Sequence, residues 1–300
     1  MKKVETAVVQ TKPAFPPLKP KSILFRRFIS NRLAVIGAVC LFIIVFICVL
    51  APLLTSHDPL EITVQDRLQP PSAEHWFGTD DFGRDLFSRV IYGSRVSMTV
   101  GTSVVIITSI LGLIAGLYSA YYRRLDNFIM RINDGLMAFP AILLAIAIMA
   151  ALGPKMINVI IALSIVYIPT VARSVRSVAI TVREQTYIEA IRALGGKSTT
   201  IIWRHIAPNC LSPLIIQATF IFAYAVIIEA SLSFLGAGTP PPEPSWGNIL
   251  NDGRTVMKQA WWMTIFPGFA IMLTVLGLNL LGDGLRDLLD PHTNKAKAQE

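Results

Sequence analysis

Six stretches of the chain read as apolar runs, at residues 33–54, 98–120, 135–152, 156–172, 211–235 and 261–281. Each approaches or exceeds the roughly 20 residues that carry an α-helix across hydrocarbon. Strands of an outer-membrane barrel would instead show segments of about ten alternating residues. The pattern therefore predicts an all-α, polytopic helical membrane protein with six transmembrane helices. The first run is longer than the apolar core of a signal peptide and no small-residue cleavage site accompanies it, so it is expected to stay in place as a helix. Residues 1–32 carry Pro13, Pro16, Pro17 and Pro20 and read as a basic, disordered tail.

Composition agrees with the pattern. Of 300 residues, 53% are hydrophobic and 15% charged, against about 25% charged in a soluble domain. The net charge of +8 would suggest nucleic acid in a soluble chain, but its distribution says otherwise. Segments 1–32, 121–134, 173–210 and 282–300 together hold 20 Lys and Arg, and the alternate segments hold 7. Cationic loops stay on the cytoplasmic side, so both termini are predicted to be cytoplasmic. The excess charge is retention signal and attraction to anionic lipid, not a nucleic-acid surface.

Several functions are excluded by what the loops lack. The longest segment between runs, residues 55–97, is too short for an independent catalytic or nucleotide-binding domain, so energy for any pumping comes from another chain. Gly195-Gly196-Lys197-Ser198 looks like the end of a phosphate-cradling loop, but Ile191 stands where that loop needs glycine. No protease, hydrolase or paired-carboxylate set is present. Cys40, Cys48 and Cys210 form no metal or disulfide spacing, and His57, His75 and His292 are scattered, so no metal ligand is assigned.

The richest segment is 173–210. From 184 to 194, Tyr187, Ile188, Ile191 and Leu194 share one helical face, with Ala190 and Ala193 leaving a shallow flank. Gly195-Gly196 ends that helix. Ser198 or Thr199 then caps a second helix, expected to run until Pro208. The prediction is a helix, a tight turn and a helix lying under the membrane. A β-carbon at Gly195 is expected to crowd the turn.

These residues also carry a family resemblance. Glu189-Ala190-Ile191-Arg192-Ala193-Leu194-Gly195, followed by Arg204-His205-Ile206-Ala207-Pro208-Asn209, resembles the EAA motif of permease subunits in binding-protein-dependent ABC importers. The Arg-His-Ile-x-Pro-Asn ending is similar to the peptide/nickel branch, with Ala207 the one departure. Further matches follow that branch: Gly78-Thr79-Asp80-Asp81-Phe82-Gly83-Arg84-Asp85, Met137-Ala138-Phe139-Pro140, and Glu229-Ala230-Ser231-Leu232-Ser233-Phe234-Leu235-Gly236. Pro241-Pro242-Glu243-Pro244-Ser245-Trp246-Gly247 and Gly282-Asp283-Gly284-Leu285-Arg286-Asp287 complete the set. The chain resembles the C-type permease of dipeptide/oligopeptide ABC importers, of the type I permease fold, over about residues 25–291.

The resemblance implies a coupling helix at 184–208 that seats in a separate ATPase, with Glu189, Ala190, Arg192, Ala193, Gly195, Arg204, His205 and Pro208 as contact residues. It implies a second homologous permease as heterodimer partner, two cytoplasmic P-loop ATPases that carry the ATP and Mg, and an extracytoplasmic solute-binding protein. It also implies a bacterial inner-membrane location, and no cofactor or catalysis in this chain. The domains implied are the tail 1–32, a first span with external segment 33–97, a permease core 98–285, and a C-terminal tail 286–300.

Other candidates keep two readings each. Glu229 lies in the fifth run, where an ionised side chain costs roughly 3 kcal/mol at mid-bilayer; it lines a pathway or subunit interface, or it reaches the headgroups near Leu235. Asp134 either serves gating or pairs locally with Arg131. In segment 76–95, a turn at Gly78 and capping acids Asp80 and Asp81 precede a short helix with Leu86, Phe87 and Val90. That segment is a shield for the bundle, or a plug or docking surface in which Asp80, Gly83, Arg84 and Asp85 take part. Gly112 and Gly116 form a GxxxG pair that also suits packing within one subunit. The prolines of 240–246 make a stiff external loop. A stand-alone, ion-gradient-driven secondary transporter is the rival function; it predicts broken or charged helices in two inverted repeats, a symmetry the sequence does not show.

Overall fold

A computed structural model of the chain describes residues 28–289, so residues 1–27 and 290–300 of the two expected tails, and with them His292, lie outside the described residues. The helices that build the bundle and its ends are, in chain order, α1 Arg32–Val49, α2 Ala51–Leu54, α3 Leu86–Tyr121, α4 Arg123–Met137, α5 Ala141–Leu152, α6 Met156–Arg183, α7 Thr186–Ala193, α8 Ser198–Phe234, α9 Trp246–Val256 and α10 Trp262–Leu289. The described residues form no sheet, and Thr79 and Asp85 make an isolated antiparallel bridge. Helices α1, α3, α6, α8 and α10 are each long and apolar enough to cross a membrane.

The expected third span, 135–152, is broken. Helices α4 and α5 are bent by 94° across the break that ends at Pro140, so the count is five spans, or six when the bent pair is taken as one. Pro140 has no N–H to offer a helix and disfavours helical backbone at Phe139. An unbroken apolar run hides that stop.

Helix α1 ends at Val49, short of its apolar run, whereas α3, α6, α8 and α10 outrun theirs. Helix α3 has 36 residues, about 54 Å at 1.5 Å per residue, and starts at Leu86 rather than 98. The helix expected within 76–95 is therefore the first part of the second span. Helix α10 continues to Leu289, past the expected boundary at 286. Helix α8 passes through Pro208 instead of stopping there. A π turn at Ile201–Ile206 lets the Ala207 N–H reach back to the Ile202 carbonyl, and Pro208 then falls in the first turn of the stretch Ala207–Phe234. A missing N–H is tolerated there.

Apolar faces gain little by leaving lipid, so the bundle depends on close van der Waals packing. Helix α6 is its centre, with 56% of its apolar window buried against 17% for α1, which lies on the flank of α10. Helix α3 runs along α6, and α8 packs on both. Glycine permits the α3–α6 approach: a β-carbon at Gly112 would stand 2.5 Å from Val171 Cβ, and one at Gly116 2.7 Å from the Ala172 carbonyl oxygen. The GxxxG pair thus packs within the chain. Leu117, Leu163, Ile202, Ile206 and Leu232 fill the core around it.

Candidate functional site

The two ends of the bundle hold the candidate residues. At the 184–200 end, α6 runs straight to Arg183, whose Nη1 donates to the Ala120 carbonyl at 2.5 Å. Gln185 breaks the helix with extended backbone, and α7 restarts at Thr186. Its C-terminus is closed by a paired cap. The Gly196 N–H donates to Ile191 O at 2.9 Å and the Gly195 N–H to Arg192 O at 3.0 Å, the two bonds of a Schellman motif. That motif needs a left-handed residue, and Gly195 sits at φ +81.

The expected crowding at Gly195 is not found, since nothing lies within 4 Å of an added β-carbon there. The backbone angle is what demands glycine. Gly196 is the crowded position, with a β-carbon 2.6 Å from Ile191 Cγ2. Neither Ser198 nor Thr199 caps the next helix. Lys197 holds the N-cap position without a side-chain bond, while the Ser198 hydroxyl lies 3.2 Å from Tyr121 Oη.

Ile188, Ile201, Ile202 and Ile206 are buried and anchor the pair of helices, and the Arg192 guanidinium lies 5.4 Å over the Tyr121 ring. Leu194 does not join the buried face as expected; it is 88% exposed, because the cap turns it outward. Glu189, Ala190, Arg192, Ala193 and Gly195 are exposed with it, and so are Arg204 and Pro208, while His205 is half-buried. All of the predicted contact residues except half-buried His205 are thus exposed, as are Tyr187 and Trp203.

At the opposite end the candidates turn inward. Asp80, Arg84 and Asp85 are at most 7% exposed and Gly83 is buried, so these residues shape the external segment rather than present themselves to a docking protein. Asp80 does not cap a helix; it accepts from the N–H groups of Phe82 and Arg84. Its Oδ2 lies 2.6 Å from Arg84 Nε and 3.3 Å from Arg89 Nε. The cap of α3 is Asp85, which accepts from Ser88 N–H at 2.8 Å. Arg89 Nη1 donates to Pro59 O at 3.2 Å, and Asp252 on α9 lies 3.7 Å from Arg84 and 3.9 Å from Arg89. Burial raises the Asp252 carboxyl above the usual carboxylate range, and the Arg89 guanidinium draws it back. Burial, then the charge of Asp80, likewise push Asp81 upward.

Two indole donors complete this end: Trp246 Nε1 donates to Val90 O at 2.9 Å and Trp262 Nε1 to Thr79 O at 3.0 Å. Glu229 belongs to the same layer. It is fully buried and accepts from Ser97 Oγ on α3 and Ser233 Oγ on α8, each at 2.9 Å. It therefore neither reaches headgroups nor lines an open passage among the described residues; it ties α3 to α8. Asp134 is exposed and pairs with Arg173 of α6 at 2.7 Å, not with Arg131.

Two features were missed in the sequence. An open groove of about 660 Å³ runs between the chain after α2 and the 241–244 loop, with Arg95, Asp58 and Glu243 on its walls. His57 and His75, scattered in the sequence, have ring centroids 5.1 Å apart beside Asp85. No spacing rule signals either, because each is assembled from loops that meet only after the spans pack.

The described residues thus form a multi-pass helical bundle with one end locked by buried charges and the other ending in an exposed helix-turn-helix knob. The chain belongs to the family of binding-protein-dependent transport system inner membrane components, which matches residues 86–295. Residues 21–71 match the N-terminal TM domain of oligopeptide transport permease C. It is 53% identical over 272 residues to a putative peptide transport system permease protein of Brucella abortus, covering 91% of this chain and 92% of that one. It is 48% identical over 278 residues to a dipeptide transport system permease protein of Alkalihalophilus pseudofirmus, covering 92% and 91%. It is 42% identical over 284 residues to a glutathione transport system permease protein of Pectobacterium atrosepticum, covering 92% and 94%. The chain is thus a multi-pass inner-membrane permease subunit of an ABC importer, a class that works with ATPases and a binding protein.

Proposed function

We propose that this chain forms half of a translocation pathway for dipeptides, oligopeptides or similar small peptide-like solutes. The relatives' names support a peptide-like cargo. The other half is a second, homologous permease. Two cytoplasmic P-loop ATPases bind ATP and Mg and dock on the 184–208 surface, and an extracytoplasmic protein delivers the solute at the 55–85 end. Both termini are then cytoplasmic, in keeping with the Lys and Arg distribution.

The observation that carries this reading is the exposed knob of α7 and its glycine turn, held between α6 and α8. ATPase closure would move this knob as a rigid body and tilt the two attached helices, which is alternating access driven from one end. Ion-gradient transport would need no such surface. Gentle purification of the tagged chain from its native membrane, with mass spectrometry of what accompanies it, tests the proposal. Recovery of a second permease and P-loop ATPases is expected; recovery of the chain alone, active without ATP, would overturn it.

A further inference from the structure

The external segment brings together three metal-ligating side chains from three separate stretches: His57 after α2, His75 in the following loop, and Asp85 at the N-cap of α3. His75 Nδ1 lies 2.9 Å from Asp85 Oδ1. One ligand atom from each of the three residues lies within 4.8 Å of the others. His75 and Asp85 are buried and His57 is half-buried. We propose that these three residues bind a divalent transition-metal ion, zinc by the character of the set, and that the ion clasps the chain after the first span to the start of the second.

The arrangement asks for more than a histidine–aspartate hydrogen bond. That bond accounts for His75 and Asp85 but gives nothing to His57, whose hydrogen-bond contact among the described residues is a marginal 3.5 Å approach of Ser56 Oγ to Nδ1. A second imidazole is nevertheless held against the first, inclined at 39°. Two imidazole nitrogens and a carboxylate oxygen suit zinc and its transition-metal neighbours; calcium and magnesium prefer all-oxygen shells.

The dimensions also fit. Ligand atoms about 2.0–2.2 Å from a tetrahedral zinc lie roughly 3.3 Å from one another, close to the His75–Asp85 separation. The wider separations, up to 4.8 Å, require the half-buried His57 ring to swing inward on binding. A cavity of about 30 Å³ lies beside His57 and Asp85, walled by Trp76 and Phe87 with Glu74 at its side. That is room for one water at the fourth position. The support around the ligands is in place as well. Asp85 Oδ2 is held by the Ser88 N–H, which fixes the carboxylate's orientation.

The test uses the full chain in nanodiscs, purified on a tag without histidine and stripped with chelator. Cobalt(II), a spectroscopic stand-in for zinc, is titrated in. One equivalent should give the visible absorption of a tetrahedral site, and zinc should bleach it. Zinc at a hundredfold excess over its Kd should also raise the melting temperature by about 5 °C. In His57→Ala both effects should fall away, with affinity lower by about a hundredfold or more. His57→Gln keeps the side-chain bulk and should behave the same way if alanine disturbs the loop. The proposal is overturned by absence of the cobalt band and of the zinc shift in the parent chain. It is overturned equally by band and shift unchanged in both His57 variants, or by effects confined to millimolar metal. Neither readout depends on transport, so failure here leaves the permease reading untouched.

Discussion

At the 55–85 end, Asp80, Arg84, Asp85, Arg89 and Glu229 are all at most 7% exposed, whereas at the 184–200 end Glu189, Arg192 and Arg204 stand in the open. The same residue types obey opposite rules in the two places. A buried charge is tolerated only when its partners are in place, and removing one partner is severe. An exposed charge interacts weakly with its neighbours and is free to meet another protein. The first end is therefore built to hold its shape, with aspartates, arginines and two indoles joining α3, α9, α10 and the 59–85 segment. The second leaves its charges open to another surface, and its two helical segments lead directly out of α6 and into α8.

This contrast predicts where stability resides. The largest loss is expected for Asp80→Ala, which takes the 2.6 and 3.3 Å carboxylate contact away from Arg84 and Arg89. Leaving buried guanidiniums short of a counter-charge costs about 3–5 kcal/mol, so unfolding in detergent should shift far below that of the parent chain. An unshifted transition would mean that this end is not the rigid one. Gly116→Leu comes next. Its side chain would enter α6 at Ala172 and Val175, and overpacking of that kind costs about 2–3 kcal/mol. Glu229→Ala should cost about 1–2 kcal/mol by the same measurement, because Ser97 and Ser233 lose their shared acceptor in a dry layer. Glu229→Gln, which keeps an acceptor oxygen, should lose less.

The fold was legible wherever one residue type sufficed to decide it. Apolar runs located the spans, and Gly195-Gly196 located the turn of the knob, because helix length and left-handed backbone are local requirements. What escaped was decided by partners distant in sequence. Leu86 starts α3 well before the apolar run because Arg89 and Ser97 are polar toward Asp80 and Glu229, contacts that hydropathy counts as solvent. Pro208 looked like a stop because a π turn is a tertiary accommodation with no sequence signature. Asp134 was matched with the nearest basic residue along its own helix, yet the bend after α4 carries it to Arg173. The chemistry of the two ends, likewise, depended on burial: the motif residues of one face inward and those of the other outward.

The smallest effect on stability, and the sharpest separation of the two ends, is expected at Gly195. Its backbone at φ +81 is strained for any residue with a β-carbon, by about 1 kcal/mol, but nothing stands within 4 Å of that atom. Gly195→Ala and Gly195→Asp should therefore both insert and fold with nearly the parent's unfolding transition. They differ in what they present. Alanine adds a methyl group to an open surface beside Ala190 and Ala193, while aspartate adds a charge where an ATPase would close, and an unpaired charge in such a contact costs several kcal/mol. Solute-stimulated ATP hydrolysis by the reconstituted complex should thus survive Gly195→Ala in large part and fall at least about tenfold in Gly195→Asp. Loss in both variants would place the requirement in the turn's backbone instead of its surface. Normal stimulated hydrolysis in Gly195→Asp would remove the knob from the coupling path, and with it the difference in role between the two ends.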